Sequence, residues 1–280
     1  MKIAIFAFVC FLSAFASGET VEELGYDWDN IKPINRYVEP IGPAPAAQSG
    51  LRIVGGSVAT RGAFPYQAAL IINSSSFCGG SIISNTWVLT AAHCVDTATA
   101  IQVIVGAHNP RTTVNEPNQV RLAANARVVH TAWNSATLLN DVALLRVATI
   151  PVGQSGISVV SLAPASSGNF AGQNAIVSGW GRTTDASTAI ATELRFVQVP
   201  VITNAVCANS YGSSVQAQHI CTSGASGRGS CNGDSGGPLV IGSVEVGIVS
   251  FGARLCQAGH PSVYARVSSF RSWISSNSGV

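Results

Sequence analysis

The chain has little charge. Asp, Glu, Lys and Arg make up 10% of its 280 residues, against roughly a quarter in an ordinary soluble domain. The formal net charge is only +2, and no cluster of lysines and arginines occurs anywhere, which excludes nucleic acid as a partner on electrostatic grounds. There is no C-x-x-C pair, which removes the usual zinc-site spacing. No apolar run reaches the roughly 20 residues that a membrane-spanning helix needs. The longest run, Ile3 to Phe15 after Lys2, ends at Ala14-Phe15-Ala16; it reads as a secretory signal peptide over residues 1–16, so no membrane anchor is expected.

Secretion governs how the cysteines are read. Of seven, Cys10 leaves with the signal, and Cys78, Cys94, Cys207, Cys221, Cys231 and Cys256 form an even set in an oxidising compartment, where disulfides are favoured over metal ligation. Sequence-adjacent pairing would close three loops, but the count alone leaves the connectivity open.

Composition changes again within "LRIVGG". Residues 17–52 carry six acids against three bases, with four prolines and little periodicity, which makes poor core material. From Ile53 onward there are eleven arginines, no lysine and seven acids, and short β-branched runs begin, separated by Gly, Asn, Ser and Pro. The expected strands include 67–72, 81–83, 87–90, 101–105, 142–147, 175–177 and 244–251, an all-β pattern. Only the tail from Ser268 to Ser276 has helical spacing, with Phe270, Trp273 and Ile274 on one face. The length suits two β units.

The stretch "SCNGDSGGPLV", Ser230 to Val240, places Ser235 among glycines. It reads either as a turn before a buried strand or as a serine nucleophile whose charge is met by backbone amides. The second reading needs a base and a carboxylate. His93 in "LTAAHCV" stands beside Cys94 after an apolar strand, and Asp141 in "LLNDVALLRV" stands at the mouth of another. GDSGG also fits the G-x-S-x-G elbow of α/β-hydrolases, but that family runs Ser, acid, His along the chain. No aspartate follows Ser235, and Glu245 and His260 lie too close together to serve.

IVGG at 53–56, TAAHC at 90–94, NDVALL at 140–145, SGWG at 178–181, GDSGGPL at 233–239, VSFG at 249–252 and PSVYARV at 261–267 together resemble the chymotrypsin-like (trypsin-type) serine protease family, from Ile53 to the end. The subgroup it most resembles is the arthropod digestive chymotrypsin-like enzymes, some of them collagenolytic. The resemblance implies an all-β fold of two six-stranded antiparallel β-barrels with the active site between them and a C-terminal helix, the first barrel over about 53–165 and the second over about 166–280. It implies His93 as general base, Asp141 as its orienting carboxylate, Ser235 as nucleophile, and the amides of Gly233 and Ser235 as oxyanion hole. It also implies the disulfides Cys78–Cys94, Cys207–Cys221 and Cys231–Cys256.

The same resemblance makes residues 17–52 an activation propeptide. A trypsin-type protease would cut after Arg52, and the freed Ile53 amine would pair with Asp234. The specificity pocket would have Gly229 as floor and Gly252 and Ser262 in its walls, with no acid, so cleavage after large apolar and aromatic residues is expected and no cofactor is needed. "GAHNPRTTVNEPNQV" keeps only Glu116 as a carboxylate, too few for a calcium loop, so no metal is expected. Protein and peptide substrates and protein protease inhibitors are the expected partners of a monomer secreted into a digestive lumen. A catalytically dead adaptor would usually have lost a triad residue, and a signalling protease would usually carry an extra domain. Asn73, in "NSS", is the one glycosylation sequon.

Overall fold

A computed structural model describes residues 25–42 and 56–280. Arg52, Ile53 and the signal segment 1–16 lie outside the described residues. The strands are β1 (Lys32–Pro33), β2 (Ser57–Val58), β3 (Gln67–Ile72), β4 (Ser76–Ile82), β5 (Trp87–Thr90), β6 (Ile101–Val105), β7 (Val120–Val129), β8 (Ala143–Val147), β9 (Ser161–Leu162), β10 (Asn174–Gly179), β11 (Arg195–Ile202), β12 (His219–Thr222), β13 (Pro238–Ile241), β14 (Val244–Phe251) and β15 (Ser262–Arg266). Three α-helices accompany them, α1 (Ala92–Val95), α2 (Asn204–Tyr211) and α3 (Val267–Ser278).

Six strands in the order β4-β3-β6-β7-β8-β5 close into a barrel through pairing of β5 with β4, and six in the order β10-β13-β14-β15-β12-β11 close through pairing of β11 with β10. Within both barrels every pairing is antiparallel. Closure removes the unpaired edges that an open sheet would expose. β3 shows why these residues form a barrel wall. Ala68, Leu70 and Ile72 turn into the barrel core, whereas Ala69 and Ile71 turn outward onto Phe77, Ile104 and Trp180. The alternation of a strand buries both faces, the outer one under Trp180, which follows β10 of the second barrel.

Several elements differ from the expectation. β4 begins five residues before the run at 81–83 because Gly79 and Gly80, which read as turn residues, lie inside a buried strand. Half-exposed β7 has a register shift between Ala124 and Ala126, which blurs its alternation. The tail is not the only helix. α2 is started by Thr203, whose side chain accepts from the Val206 N–H, and only Cys207 and Tyr211 turn fully inward, too sparse a stripe to read in advance. α3 runs as expected and stops at Gly279, in the left-handed conformation with φ 76°.

The N-terminal segment also corrects the expectation. Far from being poor core material throughout, it buries Ile31 to 1% exposure against Phe77, Ile104 and Trp180, with Tyr26 and Trp28 packed beside it. β1 joins the first barrel in parallel with β4. The few apolar residues of this segment find a surface already made by the barrels, so no internal periodicity was needed.

Candidate active site

Each side chain of the site is held by a different local device. β5 delivers the chain into α1, which carries His93, and Cys94 is bonded to Cys78 of β4. Asp141 follows Asn140, which adopts the left-handed conformation with φ 60°, uncommon for a residue other than glycine. Asn140 is fixed there by donating from Nδ2 to the Ala132 carbonyl at 2.8 Å and from its N–H to Gln218 Oε1 at 3.0 Å. Asp141 is thereby turned inward to 1% exposure.

The Asp141 carboxylate is fully engaged. Oδ2 lies 2.7 Å from His93 Nδ1 and accepts from the Ser250 hydroxyl at 2.6 Å, while Oδ1 accepts from the His93 N–H at 2.9 Å. With Nδ1 donating to the carboxylate, His93 Nε2 is left as the basic nitrogen. A second buried histidine, His219, lies near Asp141, but burial lowers its pKa to about 4 and its Nδ1 accepts from the Gln216 N–H. His219 is therefore a neutral packing residue, stacked edge-on to Phe251.

Ser235 sits in the turn before β13, at the contact between the barrels. Its carbonyl accepts from the Gly79 N–H at 2.7 Å and lies 3.5 Å from Cys94 Sγ, which is itself 3.8 Å from His93 Nε2. Gly236 has φ 78°, and a Cβ there would collide with Thr90 Oγ1 and the Gly79 carbonyl, so only glycine lets the first barrel approach so closely. Among the described residues the N–H groups of Gly233 and Ser235 have no protein acceptor, and Ser235 Oγ makes no hydrogen bond to His93. Two unpaired amides around one hydroxyl form a place for a developing negative charge.

Asp234, next to Ser235, points the opposite way. Its Oδ1 accepts from the Gly181 N–H at 2.7 Å and its Oδ2 from the Cys231 N–H at 2.9 Å. A Cβ on Gly179 or Gly181 would collide with the carboxylate, so the SGWG segment has the shape of a container for it. Burial raises the Asp234 pKa to about 6 despite the two amides. No cation faces it among the described residues.

Of the implied pocket residues, Gly252 lines the cleft with Ser235, and Gly229 lies against Ser262. A Cβ on Gly229 would stand 2.7 Å from Ser262 Oγ. Behind them the wholly buried Tyr264 places its hydroxyl 3.2 Å from Thr222 Oγ1. Asp185, whose carboxylate lies within 4.8 Å of both sulfurs of the Cys231–Cys256 bridge, is occupied by the N–H groups of Cys256 and Gln257. Glu116, alone in its loop, is also saturated: Arg61 Nη1 at 2.7 Å, the Asn109 N–H and the His108 N–H cover its two oxygens. All three implied disulfides are formed.

Five contributors were missed from the sequence. Ser250 and Gly181 lie in motifs that were visible, VSFG and SGWG, but their targets, Asp141 and Asp234, are over 50 residues away in the chain. Tyr264 stands in PSVYARV. Asn35 and Arg36, which line the cleft with Ser235, Phe251 and Gly252, carried no signal at all.

The trypsin family model matches residues 53–274. Brachyurin of Leptuca pugilator is 41% identical over 229 residues, covering 81% of this chain and 99% of its own, and trypsin delta of Drosophila melanogaster is 38% identical over 231 residues, covering 81% and 88%. The solved structure of HL collagenase superposes with a TM-score of 0.72 at 33% identity, covering 81% of this chain and 99% of that one. The chain belongs to the trypsin family of serine proteases.

Proposed function

We propose that this serine endopeptidase is a secreted digestive zymogen, activated by cleavage after Arg52, that cuts peptide bonds after large apolar and aromatic residues. In this reading His93 Nε2 takes the Ser235 proton as Oγ attacks the scissile carbonyl, and returns it to the leaving amine. Asp141 stabilises the imidazolium, and the Gly233 and Ser235 amides receive the oxyanion. The Ile53 amine freed by cleavage supplies the cation that Asp234 lacks.

One observation carries the specificity: the residues meeting at the pocket floor, Gly229 and Ser262, bring no carboxylate. An arginine entering there would bury its charge unpaired, at a cost of several kcal/mol. An aromatic side chain gains instead, since burying roughly 150 Å² at about 25 cal/mol per Å² contributes nearly 4 kcal/mol. The Ser262 hydroxyl narrows the slot, which favours Leu over Tyr. Measuring kcat/KM for the activated enzyme on matched peptides ending in Phe, Leu, Ala and Arg tests this: Phe and Leu lead and Arg trails by hundreds-fold. Arg equalling Phe overturns the pocket reading, and Ala exceeding both makes the enzyme elastase-like. The exposed Asn73, whose Oδ1 accepts from Thr99 and Ala100 while Nδ2 makes no hydrogen bond among the described residues, is available for glycosylation, which a mass shift on glycosidase treatment would show.

A further inference from the structure

The N-terminal segment crosses the cleft from one barrel to the other. Lys32 N–H donates to the Ser75 carbonyl at 2.8 Å and Ile34 N–H to the Phe77 carbonyl at 2.9 Å, with Lys32 and Pro33 in parallel register with Ser76 and Phe77. Pro33 reaches the oxyanion turn, its Cβ only 3.3 Å from where a Cβ on Gly233 would stand. Asn35 and Arg36 then border the cleft beside Ser235. Tyr37 bridges Gly252 in parallel, and the Val38 N–H donates to the Gly252 carbonyl at 3.0 Å.

Both ends are anchored. Before the crossing, Ile31 is buried against Phe77 and Trp180, and the Arg111 guanidinium lies 5.9 Å over the Trp28 ring, a cation–π distance. After it, Val38 packs with Tyr211 and Phe251, and the Ile41 N–H donates to the Ser210 carbonyl at 2.9 Å. The exposed middle is thus held over the nucleophile by apolar contacts on both barrels.

Its direction decides what it does. A cleavable chain puts the side chain before the scissile bond into the pocket at Gly229, Gly252 and Ser262, so its acyl half lies along Gly252 and its leaving amine toward Phe77. The N-terminal segment runs the other way, meeting Phe77 first and Gly252 last. Reversing a backbone exchanges the places of its N–H and C=O groups. No carbonyl of the segment can then enter the Gly233 and Ser235 amides while a side chain fills the pocket.

We propose that residues 31–38 are a reverse-running inhibitor built into the chain, which occupies the substrate cleft across both barrels and is held there uncleaved. The inference rests on the protease reading above and adds a second requirement for activity: after the cut at Arg52, the segment must also leave. It has no cysteine to tether it, so it leaves by dissociation.

The test uses the activated enzyme, freed of its N-terminal segment, and a synthetic peptide of residues 25–42. The peptide should raise KM for a small substrate without changing kcat and should be recovered intact by mass spectrometry, and an Ile31→Asp peptide should inhibit at least tenfold more weakly. Because the change is made in the peptide, folding of the barrels is not at stake. Absence of inhibition of an enzyme active on other peptides, or turnover of the peptide between residues 34 and 38 at a substrate-like rate, overturns the proposal. If the activated chain hydrolyses nothing, the protease reading fails instead. Anisotropy of a fluorescein-labelled peptide then still decides: binding lost with Ile31→Asp supports the inhibitor, and no binding refutes it.

Discussion

Two buried carboxylates stand on either side of the reacting centre and are treated in opposite ways. Asp141 and Asp234 are each 1% exposed. Asp141 has a side-chain partner that can take up positive charge, His93, together with the Ser250 hydroxyl and a backbone amide. Asp234 has two backbone amides and, among the described residues, nothing cationic, and burial pushes its pKa to about 6. An ionised carboxylate in such a place is destabilising until a counter-charge arrives. On the zymogen reading proposed above, one half of the site is assembled in the chain as made, while the other receives the Ile53 amine after the cut.

The largest effect is expected on the completed side. Asp141→Asn leaves the cage intact but removes the charge that fixes the His93 tautomer, so kcat of the activated enzyme should fall on the order of 10⁴-fold with little change in KM; a loss under tenfold would show that Asp141 only packs. On the waiting side, Asp234→Asn should cost the activated enzyme at least ~10² in kcat, comparable to losing an oxyanion donor. The same substitution should leave the pro-form equally or more stable to urea at pH 7, because there it removes an unpaired charge. Equal destabilisation of both forms would abolish the contrast.

The pH dependence of the pro-form follows from the same residue. Folded Asp234 keeps its proton up to about 6, against an ordinary value of 3.8, so the folded state binds the extra proton between these values. Its contribution to stability is fully present below the ordinary value and is lost as pH rises through about 6, by about 3 kcal/mol in all. Urea unfolding of the pro-form from pH 3.5 to 7.5 should show that decline against an Asp234→Asn control. In the activated form the paired amine should abolish the decline, and a new loss should begin only above about pH 8 as that amine deprotonates. A difference curve without slope would mean that Asp234 already has a cation.

An effect on stability alone, with none expected on activity, belongs to a buried carboxyl outside this comparison. Glu245 is wholly buried on β14, and burial raises its pKa to about 8 from 4.5, opposed only by the Ser81 hydroxyl, without a well-formed hydrogen bond. It is mostly protonated at neutral pH, and its stability contribution is lost as pH rises through about 8. Because the unfolded carboxyl already ionises above 4.5, Glu245→Gln should gain on wild type progressively from pH 4.5 to about 8 and level off above that. No relative gain on the alkaline side would indicate an unrecognised partner.

Much of this was legible in the sequence where function and local pattern coincide. β3, β5, β6 and β14 match their apolar runs, because a strand buried on both faces needs no partner to be recognised. His93 and Ser235 stand in short motifs whose cysteines and glycines have local reasons. What could not be read depends on pairing across the chain: Ser250 onto Asp141, Gly181 onto Asp234, and Gly79 inside a strand rather than a turn. The N-terminal segment was the hardest, since Ile31 becomes a core residue, and Val38 a partly buried one, only on a surface supplied by Phe77, Trp180 and Phe251.

A labelled fluorophosphonate, which reacts only with an activated serine, tests whether this is a serine protease with one carboxylate site complete and one waiting. The pro-form and the form cut after Arg52 are exposed side by side at pH 7.5, and the modified peptide is located by mass spectrometry. Rapid labelling of Ser235 after the cut, and at least hundredfold slower labelling before it, is the predicted result. Equal labelling of both forms, or labelling of neither, would contradict it.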